Sequence, residues 1–441
     1  MTARNACAIG AGAISLIWPA LANGYPLLFS DTGSFMEQLL KPFMLWDKPW
    51  IYGPVLVAVS LKLTLWLPAL AQGLLVSWVL WRVQAVFREP SASWHLGLCL
   101  VLALGSTAPW FTSLLMPDIL APLTVLALFL LAFDPVQQWR WPVTALASFA
   151  IAAHLTHLVV AAACLVTIAV LRPRALARAS VPLGVAVALL LATNLAGHGR
   201  FGISPYGSVF GLARLVADGP AKIYLEANCP AAGYGMCAWT GRLPTDNNVF
   251  LWDPAGPVWT FPGGPIALAP EATRIVAATI LSQPEIVARA ALVNTLIQLV
   301  TVRPDNVLGP NALDQTVGAR LRAYYPAAEE DRFKASEQRR DGLRAIAAPW
   351  QTAYVVLLVL GAIGSSVLLV WSWRRDPLLF ALIALIAAGV LSNAVATGAL
   401  SGPSDRYQAR IAWLVLLPLY WFCARCIASG TARTIWSWLA G

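Results

Sequence analysis

The sequence predicts an all-α polytopic membrane protein with about ten transmembrane helices. Two compositional features and one feature of charge placement lead to this. Only 12% of the 441 residues are Asp, Glu, Lys or Arg, and 59% are hydrophobic. A soluble domain carries roughly 25% charged residues, so this balance argues against a soluble enzyme and excludes a disordered chain. Twenty Trp and 31 Pro accompany the apolar runs, as expected where aromatic belts mark the membrane interfaces. The third feature is that the basic residues gather on one side of the predicted spans, which accounts for a net charge of +9 without nucleic acid.

The apolar runs lie at 6–24, 67–87, 94–114, 119–133, 142–153, 157–171, 180–197, 350–372, 377–398 and 410–428. The stretch 142–171 is read as two short spans, since reading it as one would reverse every later segment. With the N-terminus inside, Arg4, Arg82, Arg88, Arg140, Arg172, Arg174, Arg178, Arg374, Arg375, Arg425 and Arg433 are cytoplasmic. Only Glu89, Asp134 and Asp376 oppose them there. The C-terminus is then also inside. The first run resembles a signal peptide, with ALA at 20–22 as a cleavage-like site, but it is long and is expected to stay attached.

Three parts follow: 1–197 with seven spans, 198–349 as an outer (periplasmic) domain, and 350–441 with the last three spans. The outer loop at 25–66 holds two stretches, FMEQLLKPFML and 54–66, that read as interfacial helices, with Lys62 free to snorkel. Within 198–349, a Gly-, Pro- and aromatic-rich half reads as irregular. The segments PEATRIVAATILSQP, PEIVARAALVNTLIQLV and EEDRFKASEQRRDGLRAI read as helices opening on acids. The second of these carries Arg289 and is expected to rest on the membrane. Cys229 and Cys237 lie in this outer part, where an oxidising compartment favours a bridge between them.

Ionisable residues cluster at the outer ends of the spans. Asp31 in SDTGS follows the first span, and Asp118 in MPDI separates the third from the fourth. His154 and His157 bracket the turn between the fifth and sixth, and Asp405, Arg406 and Arg410 precede the tenth. Such groups are costly at a membrane face, and function is the default reading. Each also fits a plain structural role. Asp31 suits an Asx-turn before Thr32-Gly33, and Asp118 after Pro117 suits a helix N-cap. The two His suit ordinary hydrogen bonding, and the arginines suit a charged helix flank. Arginine on the outer side runs against the inside bias, so the functional reading weighs most there. Lys41, Asp47 and Lys48 are expected on a solvated loop face.

The order and sidedness of FSDTGSF, KPWIYGPVLVAVSL, SLLMPDILAPLTVLALFLL, HLTHL and SDRYQARIAWLVLLPL resemble the GT-C superfamily of integral-membrane glycosyltransferases. That superfamily includes the lipid A aminoarabinose transferases and the protein O-mannosyltransferases. The likeness covers the first seven spans best and the outer domain hardly at all. It implies a bacterial inner-membrane enzyme, with its site facing the periplasm, that moves a hexosyl or pentosyl group from a polyprenyl-phosphate donor. The acceptor is a hydroxyl of a glycan, lipid or protein; membrane lipids are further partners, and nucleic acid is not.

The resemblance implies Asp31 as the base that deprotonates the acceptor. It implies Arg406, assisted by Arg410, at the departing phosphate. His154 or His157 would add a donor to that phosphate, and Tyr52 would join the substrate-binding set. Asp118 would orient the acceptor or, with Asp31, hold a divalent cation such as Mg or Mn. The chain departs from some relatives in having a lone Asp in the first loop instead of an acidic pair. This weakens the metal reading, because hard cations prefer several oxygen ligands. Three other functions compete: a lipid or solute transporter, an acyltransferase with a His base, and a scaffold without activity. The transporter is disfavoured because no paired, Gly/Pro-broken segments relate two halves of the chain.

Overall fold

Backbone groups in hydrocarbon find no water, so a chain this apolar satisfies them within helices. The computed structural model describes residues 2–41, 44–310 and 312–428. Arg433 lies outside these, as do Pro42 and Phe43 of the first expected interfacial helix. The chain is all-helical, at 78% helix, and the described residues form no strand. Among the described residues, five helices are long and apolar enough to cross a membrane: Trp66–Phe87, Pro173–His198, Leu343–Arg375, Pro377–Leu400 and Asp405–Ile427. A sixth candidate is the pair Gly264–Ser282 and Pro284–Val300, bent by 101°. Shorter apolar helices fill other predicted runs: Ala92–Gly105, Pro117–Phe133 and Leu155–Leu171.

The first part comprises α1 (Ala3–Leu16), α2 (Trp18–Asn23), α3 (Ser30–Leu40), α4 (Tyr52–Ser60), α5 (Trp66–Phe87), α6 (Ala92–Gly105), α7 (Ala108–Ser113), α8 (Leu120–Phe133), α9 (Arg140–Ala152), α10 (Leu155–Leu171) and α11 (Leu176–His198). Local chemistry sets several boundaries. Gly24 closes α2 at φ 75°, and Gly199 closes α11 at φ 62°, a region that favours glycine. His154 caps α10 by accepting from the Thr156 N–H. This divides 142–171 into two helices, as the arginine pattern requires. Every residue from Leu120 to Ala132 is buried. α8 is therefore apolar on all faces, which suits a helix at the centre of a bundle. It packs against α5, α9, α10 and α11.

The outer segment contains α12 (Gly207–Asp218), α13 (Pro220–Asn228), α14 (Asn247–Trp252), α15 (Pro257–Thr260), α16 (Gly264–Ser282), α17 (Pro284–Val300), α18 (Ala319–Tyr324) and α19 (Ala327–Lys334). Two of the three expected helices differ in extent. α16 begins earlier than PEATRI, and EEDRFKASEQRRDGLRAI breaks after Lys334, with Asp341 at φ 62°. The expected single domain at 198–349 encloses two cores. Val209, Leu212, Phe250, Leu268 and Ile275 form a core of their own. By contrast, Val307, Leu313, Val317, Tyr325 and Phe333 belong to the core of the first part. Glu329 fastens this second half, accepting from Tyr25 Oη at 2.7 Å, Thr64 Oγ1 at 2.9 Å and the Leu65 N–H at 2.7 Å. Cys229 and Cys237 are disulfide-bonded. The loop they close is held to α16 because Glu271 accepts from the N–H groups of Gly235 and Met236.

The last part is α20 (Leu343–Arg375), α21 (Pro377–Leu400), α22 (Asp405–Ala412) and α23 (Leu417–Ala428). α20 leaves Val356, Val359, Leu360, Ile363, Val367 and Val370 exposed along its length. An apolar stripe this long has no stable partner in water and suits lipid. α17 is built the other way round from a soluble helix. It buries Asn294 and Gln298 and exposes Leu292, Leu296, Ile297 and Val300. Gln298 exchanges hydrogen bonds with the Ser404 backbone, which fixes α17 beside α22. A Cβ on Gly398 would meet the Asn294 carbonyl oxygen at 2.6 Å, so α21 and α17 touch backbone to backbone there.

Candidate functional site

Three helices share one polarised end. α8 starts just after Asp118, α10 starts at the His154 cap, and α21 ends at Leu400, close to the start of α22. There the buried Asp118 carboxylate lies 3.5 Å from Arg406 Nε and 3.4 Å from Arg410 Nη1. Arg410 is fully buried and also donates to Thr156 Oγ1 at 3.0 Å and Asn393 Oδ1 at 2.8 Å. Asn393 in turn donates to the Tyr407 carbonyl and to Gln408 Oε1. A low-dielectric interior makes such a network strong only when its charges are paired, and here one carboxylate serves two guanidinium groups. The helical spacing of Arg406 and Arg410 puts both on the face of α22 that meets α8.

Beside this network lies a cavity of about 340 Å³. Its polar lining includes Asp31, Asp47, Lys48, His154, Thr156 and Arg406. Its apolar walls include Met116, Val159, Phe210 and Leu400. α12 contributes Gly207 and Gly211, so the outer segment covers the space. Val159 and Leu400 line the cavity and are both exposed, which gives it an apolar margin between α10 and α21.

Asp31 stands in the first turn of α3, not in an Asx-turn, because α3 begins at Ser30 with Thr32 Oγ1 accepting from the Phe29 N–H. Its side chain is 32% exposed and lies 3.3 Å from Lys48 Nζ. Burial alone would raise the Asp31 carboxyl, but the charges of Lys48 and Arg406 outweigh it and hold the group below the usual carboxylate range. Burial opposes the Lys48 charge in the same way, and Asp31 and Asp47 overcome it, so the ammonium is held above its ordinary value. Lys48 is ion-paired to Asp47 as well and lies 5.5 Å from the Trp252 ring centroid. The expectation of a solvated Asp47–Lys48 face is therefore corrected: both side chains are nearly buried. The 44–50 stretch folds under the outer segment, where Trp46 stacks on Phe210 at 5.2 Å.

Arg406 has a different setting. Its guanidinium lies 4.4 Å from the Phe29 ring centroid and 5.2 Å from that of Tyr407. Its Nε and Nη1 are buried and make no hydrogen bond among the described residues. Arg406 lines the cavity as a cation fixed between aromatic faces, and its charge and planar fork suit an oxyanion.

Several residues singled out in the sequence lie elsewhere. Asp118 is buried behind Arg406 and is absent from the cavity lining, so it positions the arginines instead of meeting an acceptor. Arg410 is likewise behind the wall. His157 is fully buried, with its Nδ1–H donating to the Ala150 carbonyl at 2.6 Å, and it does not reach the cavity lining. His154 does line the cavity. Its Nδ1 accepts from Thr156 N–H, which puts the proton of the neutral ring on Nε2 and makes that nitrogen a donor. Tyr52 is buried, donates to Gln72 Oε1 at 2.9 Å and packs edge-on at 5.2 Å against Phe35, which does line the cavity.

The residues do not fit a divalent cation. Among the described residues no three His, Cys, Asp or Glu side chains gather as metal ligands. Asp31 and Asp118 each face cationic side chains that would repel one. No protein-family model, curated protein or solved structure matches the chain.

Two outcomes are expected from this geometry. Asp118→Asn leaves two buried guanidinium groups unpaired and should cost about 3–5 kcal/mol, read as a lower thermal midpoint in detergent. Adding Arg410→Met should recover part of that loss. The second concerns pH. Because the folded Asp31 value lies below the unfolded one, its ion pair contributes fully above the ordinary carboxylate range of about 4 and is lost as pH falls through the lower folded value. The difference in midpoint between wild type and Asp31→Asn should hold steady from about pH 7 to pH 5 and shrink only below about pH 4. A collapse near pH 6 would contradict the pairing.

Proposed function

We propose that this protein is a membrane glycosyltransferase of the GT-C kind, transferring a hexosyl or pentosyl group from a polyprenyl-phosphate donor to an acceptor hydroxyl. One observation carries the reading. Asp31 and Arg406, at opposite ends of the sequence, wall the same cavity, and that cavity has an apolar margin at Val159 and Leu400. A base, an anion site and a route for a lipid tail are what such a reaction needs together.

The acceptor O–H gives its proton to Asp31 as its oxygen bonds to the anomeric carbon. The bond from that carbon to the phosphate oxygen breaks, and the electron pair leaves with the lipid phosphate. Charge grows on that oxygen in the transition state, where preoriented cations in a site shielded from water act most strongly. Arg406 lines the cavity as a fixed cation, Lys48 is within reach of the same space, and His154 supplies a neutral N–H. An anion arriving between Lys48 and Arg406 competes with Asp31 for their charge, which raises the affinity of Asp31 for a proton as the reaction requires. A single displacement of this kind inverts the anomeric centre.

The proposal includes ten spans in a bacterial inner membrane, with both termini inside and the cavity facing the periplasm. In support, each apolar run of the sequence coincides with one helix or with consecutive helices. A solute transporter would place its site near mid-membrane, whereas this cavity lies at one end of α8, α10 and α21.

Asp31→Asn, purified in lipid with native lipid extract as donor source, should lower kcat for sugar transfer by about 10²- to 10⁴-fold with little change in KM for the donor. Turnover like that of wild type removes Asp31 from the base role. Sidedness is tested with Ser204→Cys, an exposed position lining the cavity. An impermeant maleimide should label it from the periplasmic side of intact cells, and labelling only after lysis overturns the orientation.

A further inference from the structure

The opposite end of the bundle carries a second concave site. α8 runs from the Asp118 network to Phe133, α10 from His154 to Leu171, and α21 returns from Pro377 to Leu400. At 1.5 Å per residue these helices separate the two ends by about 20–35 Å, close to the hydrocarbon thickness of a bilayer. At the far end a groove of about 430 Å³ is lined by Phe133, Leu171, Arg172, Trp373, Pro377 and Phe380, among others.

The groove is apolar, but its surroundings are strongly basic. The Arg172 guanidinium lies 5.3 Å from the Phe133 ring centroid. The nearby acids are already spent: Asp134 pairs with Arg82, while Asp376 pairs with Arg425 and caps α21 by accepting from the Leu379 N–H. Arg178 donates to the carbonyls of Leu131 and Ala132 at the end of α8. Arg172, Arg174 and Arg374 have no carboxylate partner among the described residues, and all three are exposed. Cations at helix C-termini offset the macrodipole, but this does not explain an apolar groove beside them. Trp373, 62% exposed, stands perpendicular to Phe380 at 4.9 Å and forms one wall.

We infer that this groove binds an anionic phospholipid, with the phosphate on the Arg172 side and an acyl chain along Phe133, Trp373 and Phe380. A guanidinium matches phosphate oxygens with paired donors. Basic pockets between transmembrane helices recognise anionic headgroups for the same reason. A free phosphate ion would gain nothing from the aromatic walls, and a zwitterionic lipid would bring its own cation to a positive rim. The inference rests on the groove alone and stands or falls separately from the sugar-transfer reading.

The test uses the whole protein in vesicles of phosphatidylcholine doped with either brominated phosphatidylglycerol or brominated phosphatidylcholine. The fluorescence difference between wild type and Trp373→Phe isolates the indole in the groove. That component should be half-quenched at about five-fold lower mole fraction of the anionic lipid than of the zwitterionic one. Arg172→Gln should bring the two lipids to parity while Arg172→Lys keeps part of the preference; should Arg172→Gln not fold, Arg374→Gln should weaken it. Equal quenching by both lipids in wild type overturns the inference, as does a preference unchanged in the charge variants. Loss of the preference on adding millimolar inorganic phosphate at constant ionic strength would mark a phosphate-ion site and overturn it too.

Discussion

The architecture at the cavity end depends on a single buried carboxylate. Asp118 sits where α7 hands over to α8 and pairs with two arginines that α22 drives into the bundle. Without it, neither guanidinium is tolerable in an apolar interior. With it, Arg410 is free to bind Thr156 and Asn393, tying α10 and α21 to α22. A charge pair is an expensive way to hold helices together. It does, however, specify which faces meet, and here it sets Arg406 at the cavity wall.

That placement gives the cavity its character. On one wall Arg406 is fixed by Phe29 and Tyr407; on another, Lys48 is fixed between Asp31 and Asp47. Asp31 is paired with Lys48 on one side of the space, while aromatic rings fix Arg406 on the other. Gly207 and Gly211 of α12 line the space, so helix backbone forms part of its cover. The outer segment serves as a roof to the site and, through Glu329 and the 307–333 residues, as part of the main core.

The helices α8, α10 and α21 link two chemically different ends. One end holds paired charges around a covered cavity; the other holds arginines around an open aromatic groove. Between them, side chains are apolar on the inside of the bundle and, on α20 and α17, apolar on the outside too. That distribution is stable only where the outer surface meets hydrocarbon.

Helix positions were largely legible in the sequence, because apolar length and arginine placement are local properties. The break at His154, the Cys229–Cys237 bridge and the run of α17 follow from such local signals. Asp31, His154 and Arg406 were also visible, as ionisable groups next to apolar runs. What only the tertiary structure decided was which of these share a space. Asp118, Arg410, His157 and Tyr52 looked equivalent to Asp31 and Arg406 by position, yet they lie behind the wall, a matter of helix rotation that one-dimensional spacing does not encode. Lys48 and Asp47 looked like a wet loop because nothing nearby in sequence buries them. Trp46 packs there against Phe210 and Trp252, which lie about 160 and 200 residues further along the sequence, and burial by distant partners is invisible until the chain has closed.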